Sequence, residues 1–416
     1  MSSQETGPTE IVAPKPTYRW LILVSSWSLY FVFGLIHTAI SVLVTPVMNS
    51  LNLTYSQMGV ILGSWQFVYI FFAQPAGLLV DHIGPYKSLF IGVTVISLSA
   101  ALRLFAMSFE TLLVFVALFG IGGPMISIGL PKLISTWFVG EERGTASGVY
   151  ATGPSIGGIV ALSLTENVVL PMVGDWKNVF LVYGSIGFLI ALSWLFVERR
   201  APSPRVAKVS TPPGKEQVWG VMRQLFKSKN IWLVVLIGIA SFLASHGLLS
   251  WLPEILEAKG VAAQEVRILA SLSYLFGMIG SVLAPQLLHV VRSKKRAITI
   301  NLFTLGIATL VFGLTNGPPM VIAMAVAAIM MRGLLPLLMV TLMDMPEVGP
   351  KRMGVVGGLY FSIGEIGGFG GPFVMGLLKD VTGSYLSGII FIVVVTELSI
   401  VFAALLESDK PKHTTS

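Results

Sequence analysis

Twelve stretches of this 416-residue sequence are long and apolar enough to cross a bilayer, and nothing else in it narrows the possible folds as much. A spanning helix needs about 20 mostly apolar residues, because the hydrocarbon core is about 30 Å thick and a helix rises about 1.5 Å per residue. The stretches run over residues 20–44, 58–80, 88–107, 111–137, 144–171, 178–197, 231–253, 266–290, 297–315, 318–343, 354–378 and 385–406. Only 11% of the residues are charged, and 54% are hydrophobic. Soluble domains carry about 25% charged residues, so this chain lacks the polar surface that a water-facing globule needs. Most of its surface is expected to face lipid, and the fold class is an all-α membrane protein.

The sixth and seventh stretches are separated by a polar segment, 198–230, that holds Pro202, Pro204, Pro212, Pro213, Gly214 and many cations. That composition predicts a flexible linker, with room for a short surface helix around Val218 to Phe226. It divides the chain into a tail (1–19), a six-helix bundle (20–197), the linker, a second six-helix bundle (231–406) and a tail (407–416). The first residues are polar and contain no apolar core of the signal-peptide kind, so a cytosolic tail is expected there. Loop cations set the orientation. With the N-terminus inside, 20 Lys and Arg fall on the inner side and four on the outer side. Both termini are therefore expected in the cytoplasm, with the chain multi-pass in a plasma or inner membrane. The net charge of +7 belongs to these loops and not to a nucleic-acid surface. The absence of cysteine excludes disulfides, thiolate metal sites and cysteine nucleophiles. No nucleotide loop, paired-histidine metal motif or serine elbow is present, so neither an enzyme nor a cofactor is expected.

The two bundles look related. At an offset of 210, Gly144, Gly148, Tyr150, Gly157 and Gly158 map onto Gly354, Gly358, Tyr360, Gly367 and Gly368. Parallel six-helix repeats around a membrane-normal axis bind substrate near the midplane, between the halves. Between the second and third stretches, Gly77-Leu-Leu-Val-Asp81-His-Ile-Gly84-Pro-Tyr-Lys87 resembles the signature loop of the major facilitator superfamily. The resemblance implies that Asp81 and Gly84 hold the cytoplasmic ends of neighbouring helices together, with Gly77 and Lys87 completing the motif. His82 stands where a basic residue is usual, and the equivalent segment of the second half, 285–296, keeps only its cations. Trp137-Phe138 followed by Glu142-Arg143-Gly144 is similar to the family's junction between helices 4 and 5. Gly153-Pro154-Ser-Ile-Gly157-Gly158 resembles its glycine-rich fifth helix. The implied architecture is two pseudo-symmetric six-helix bundles. Residues 101–106, and helix 4 from Gly120 through Pro131 to Phe138, are similar to the cyanate and nitroimidazole permease branch. His37 stands where that branch often has an arginine.

A transporter needs no covalent chemistry, so its site should consist of polar or ionisable groups at depths that hydrocarbon would exclude. Arg332, in the middle of helix 10, is too deep to reach water easily. Its planar fork of donors suits an oxyanion; the alternative is a structural ion pair, with Glu365 as a partner. Glu365, midway along helix 11, is a proton-coupling group, a counter-ion to Arg332, or the partner of a cationic substrate. His37 and His246 occupy corresponding depths in helices 1 and 7, which in the family line the cavity together with helices 4 and 10. Either histidine flanks the pathway or rests neutral on a backbone carbonyl. Arg103 is expected to anchor at the outer interface, and Lys132 to snorkel inward or line the inner cavity. Glu166 is a proton-coupling group, a gate or an ion pair. Trp65, Tyr69, Trp251 and Tyr360 face the cavity or, as aromatic residues in membranes commonly do, pack at interfaces.

Three functions fit this pattern. The first is proton-coupled, alternating-access transport of a small organic or inorganic anion, by a monomer. In it Arg332 neutralises the substrate, His37 or His246 assists, and Glu365 handles the proton. The second is transport of a cationic or amphipathic amine by Glu365 and an aromatic cage. The third is a receptor-like homologue that moves nothing.

Overall fold

A chain of apolar segments in lipid must satisfy its backbone groups internally, and helices do so within one segment. In the computed structural model, which describes residues 16–201, 223 and 227–407, twelve helices meet the length and hydropathy of a membrane span. They are α1 (Tyr18–Val42), α2 (Tyr55–Ile83), α3 (Pro85–Phe105), α4 (Phe109–Trp137), α5 (Glu142–Val173), α6 (Trp176–Arg200), α7 (Lys229–Ala258), α8 (Ala263–Leu288), α9 (Lys294–Leu314), α10 (Pro318–Met343), α11 (Val355–Thr382) and α12 (Tyr385–Leu405). Most overrun the apolar stretches by a few residues because polar side chains cap them outside the hydrophobic run. Thr54 and Gln57 form a reciprocal capping box at the start of α2, and Asp175, Ser228, Ser293 and Ser384 cap α6, α7, α9 and α12. The first helix begins at Pro16, inside the expected tail. The rest of that tail, residues 202–222 and 224–226 of the linker with most of the surface helix expected there, and residues 408–416 lie outside the described residues.

Twelve crossings put Tyr18, Arg200, Lys229 and Leu405 on one face, here called the linker side; the opposite face is the far side. The sequence repeat has a packing cause. A Cβ on Gly157 of α5 would collide with the carbonyl of Phe31 on α1, and one on Gly367 of α11 would collide with the carbonyl of Ile239 on α7. In each half the same pair of helices crosses at backbone contact, which only glycine permits. The helix α5 is also broken: a bend at Thr152 precedes Pro154, and Thr165–Val169 winds as a π-helix.

Two seams join the halves. Along the first, α2 lies against α11, with Gly59 beneath Pro372 and Gly63 beneath Phe369. Along the second, α5 meets α8 on the far side, where Ser163 and Ser271 are 3.3 Å apart and Arg267 reaches Glu166 at 3.6 Å. Toward the linker side, Glu141–Ala151 packs on α1 and α4, forms no hydrogen bond or ion pair with α8 among the described residues, and leaves Arg143, Gly144, Thr145 and Gly148 exposed. The cleft between the halves is closed on the far side and open on the linker side.

Candidate functional site

Helices apolar on all sides place a few polar groups at mid-depth, and packing of the two halves gathers several of them. His37 on α1 and His246 on α7 have ring centroids 6.3 Å apart. Trp65 on α2 lies edge-on to both, at 5.0 Å from His37 and 5.8 Å from His246. Tyr69, one turn along α2, packs on Trp65 at 6.2 Å. The neighbour of Trp65, the fully buried Gln66, sends its Nε2 to within 3.2 Å of His246 Nδ1. With Nδ1 accepting, the ring proton sits on Nε2, 3.8 Å from Glu365 Oε2 on α11. Glu365 is only 5% exposed, and its Oε2 has no hydrogen-bond partner among the described residues. At 3.8 Å the histidine is an electrostatic neighbour and not a bonded one.

Arg332 sits apart from this pair. Its guanidinium is exposed in the cleft, 5.9 Å from the ring centre of Tyr274 on α8. Among the described residues no carboxylate lies within salt-bridge distance of it. The expected alternative, a structural pair of Arg332 with Glu365, is therefore absent: α7 places His246 next to Glu365 instead. Tyr274 in turn bonds Thr38 of α1 at 3.2 Å, across the halves. A cavity of about 30 Å³, lined by His37, Ser41, Ser250, His246, Tyr274 and Arg332, closes the far-side end of the cluster.

Several residues expected at the site stand elsewhere. Lys132 does not line the central cleft: its Nζ donates to Asp81 at 2.6 Å and to the carbonyl of Val80 at 3.3 Å, and so ties α4 to the end of α2. Asp81 thereby joins neighbouring helices, Gly84 turns the chain there with φ +83°, Gly77 faces Ile128 of α4, and Lys87 is exposed. Trp251 is fully buried and donates to the carbonyl of Pro372 at 3.0 Å, so it packs α7 on α11 and does not face the cleft. Tyr360 is likewise fully buried, against Gly238 and Phe242. Glu166 pairs with Arg267 in the far-side seam, away from the cluster. Arg103 does not reach the interface. It is 1% exposed, 4.4 Å from the ring centre of Phe180, because the 3₁₀ turn Arg103–Phe105 directs it onto α6.

Sequence reasoning passed over Gln66, Tyr274 and Glu254. Gln66 carries a signal, an amide in the middle of an apolar helix. Tyr274 carries none that separates it from an interfacial tyrosine. Glu254 lies one residue beyond the apolar stretch 231–253, so hydropathy does not mark it.

The chain is 24% identical over 368 residues to the hexuronate transporter of Bacillus subtilis, covering 84% of this chain and 85% of that one. To the probable sulfoacetate transporter of Cupriavidus necator it is 27% identical over 400 residues, covering 88% and 89%. Among solved structures, a bacterial homologue of the human lysosomal transporter Spinster superposes with a TM-score of 0.75 at 18% identity, covering 94% of this chain and 97% of that one. The family profile of the Major Facilitator Superfamily matches residues 26–372. With that match and twelve spans in two repeated halves, this multi-pass membrane chain belongs to the Major Facilitator Superfamily.

Proposed function

We propose that the chain is a proton-coupled secondary transporter of a small organic anion, of the sugar-acid or short sulfonate class. The observation that carries this reading is Arg332: a mid-membrane guanidinium, exposed in the cleft, with no carboxylate within salt-bridge distance among the described residues. A charge at that depth costs about 2.5–3.5 kcal/mol to insert, and an anionic substrate would offset that cost each time it binds. The fork of Arg332 takes the carboxylate or sulfonate, and Tyr274 and His37 offer hydrogen bonds beside it. Glu365 carries the proton, and His246 balances the carboxylate once the proton has left. The two halves rock about this cluster, with α2–α11 and α5–α8 as the contacts that open and close.

The relatives named as hexuronate and sulfoacetate transporters support the substrate class. That class is wider than the cyanate and nitroimidazole branch that helices 3 and 4 resemble, and the proposal follows the wider one. The rival amine reading needs Glu365 to stand in an aromatic cage. Two of its three walls, Trp251 and Tyr360, are fully buried in helix packing. The linker side is proposed to be cytoplasmic, from the distribution of loop cations, with the chain acting as a monomer in the plasma or inner membrane.

The test is uptake of radiolabelled D-glucuronate and sulfoacetate into proteoliposomes. Arg332→Ala is expected to lower uptake about tenfold or more, and Arg332→Lys to restore part of it, since lysine keeps the charge but not the fork. Wild-type rates in both variants refute the anion-site assignment. A thermal shift with tetraethylammonium and none with either anion turns the reading to the amine.

A further inference from the structure

Glu254 stands one turn from the far-side end of α7 and is 8% exposed. Its Oε2 has no hydrogen-bond partner among the described residues, and no cation lies within salt-bridge distance of the carboxylate. A buried acid at that position carries a desolvation cost that packing alone does not explain. Helical spacing puts His246, Ser250 and Glu254 on one stripe of α7, each about 6 Å further out than the last. Ser250 is buried and lines the same small cavity as His246, His37 and Arg332. Pro253 has no N–H to give the carbonyl of Leu249, so an acceptor in a residue of that cavity wall lacks its helical donor.

Titratable groups that act electrostatically on Glu254 include Glu257 on α7 itself, Glu166 on α5 and Tyr385 on α12, with Lys379 Nζ 4.7 Å from the Tyr385 ring centre. Of these Glu166 is matched to Arg267, and among the described residues no cation forms an ion pair with Glu254. The cavity of about 30 Å³ that Ser250 and His246 line, one helical turn inward of Glu254, has room for one or two waters. A six-carbon acid does not fit in it. With the far side closed, this route excludes substrate but has the size and the polar groups to pass a proton.

We propose that Glu254 is the far-side port for the coupling proton, a proposal that rests on the proton-coupled reading above. Glu254 takes a proton from the far-side solution. Its carboxyl gives that proton to the Ser250 hydroxyl, which releases its own to water in the cavity, and the water releases one to the Glu365 carboxylate. Glu254 is left as the carboxylate and Glu365 as the acid, so one proton enters and none is lost. Glu365 releases it to the linker side only as the anion leaves Arg332, so that proton passage stays coupled to transport.

The experiment uses full-length protein in proteoliposomes, with D-glucuronate as the probe and a pH gradient acid on the far side. Wild type is expected to accumulate glucuronate under the gradient; if it does not, proton coupling fails and the port falls with it. Given wild-type accumulation, Glu254→Gln should cut gradient-driven uptake about tenfold while glucuronate exchange at equal pH stays within about threefold of wild type. Glu254→Asp should retain both activities. Full gradient-driven uptake in Glu254→Gln overturns the port and leaves proton coupling standing. An equal loss of exchange in a monodisperse variant assigns Glu254 to structure or substrate binding and also overturns the port. A second readout needs no substrate: dicyclohexylcarbodiimide reacts with protonated carboxyls in apolar surroundings. Mass spectrometry should find its adduct on Glu254, declining as pH rises, and no adduct at any pH overturns the proposal.

Discussion

Asp380, at the far-side end of α11, holds the first turn of α2 from the opposite half. Its carboxylate accepts from the backbone N–H groups of Tyr55 at 3.0 Å and Ser56 at 2.7 Å, and from the Ser56 hydroxyl. These N–H groups are among those that a helix start leaves without an intrahelical partner. Asp380→Asn keeps the shape and one acceptor but removes the charge. Weakening a cap costs about 1 kcal/mol, and losing a negative charge at an exposed helix N-terminus costs about 0.5 kcal/mol more. The contacts join different halves at the closed far side, and opening that side should break them, so the whole loss of about 1.5 kcal/mol should fall on the closed state. The ratio of far-side-closed to far-side-open protein should drop about tenfold. The chain has no cysteine, so Ser41→Cys, which lines the far-side end of the cluster, introduces a single reporter thiol. A membrane-impermeant maleimide added from the far side should modify it about tenfold faster in the Asp380→Asn background. Asp380→Glu should lie closer to the parent. An unchanged or slower rate refutes the assignment of Asp380 as a far-side latch.

Gly367→Val should lower thermal stability by about 1–3 kcal/mol or prevent insertion, because the added side chain meets the Ile239 carbonyl; fluorescence-detected size-exclusion melting measures it. Trp251→Phe loses a buried bond to the Pro372 carbonyl and about 1 kcal/mol of stability, with KM for glucuronate unchanged. A raised KM in well-folded Trp251→Phe would return this ring to the site. Lys132→Met breaks a half-exposed pair with Asp81 and should cost about 0.2–1 kcal/mol in the same melting assay. Its KM should also stay at the parent value, which separates it from Arg332→Ala.

The span count, the repeat, the signature loop and the mid-membrane depth of Arg332 and Glu365 were all legible in the sequence. These depend on position along a helix axis, and hydropathy reports that directly. Arg332 and Glu365 were legible because a charge amid apolar residues is conspicuous whichever way it points. The direction in which each side chain points emerged from helix packing alone. In a water-soluble helix an apolar stripe marks the buried face, but here lipid and protein interior are both apolar and the stripe disappears. Hydropathy could therefore not separate Trp65, which meets His37 and His246, from Trp251, which is sealed between α7 and α11. It also could not tell that Glu365 faces His246 and not Arg332, since the two alternatives differ only in how α7, α10 and α11 are rotated against one another. Gln66 shows the same limit across the seam. Its role beside His246 exists because α2 of one half lies against α11 of the other, and that contact is made by Gly59 and Gly63 far along the chain from the helices they admit.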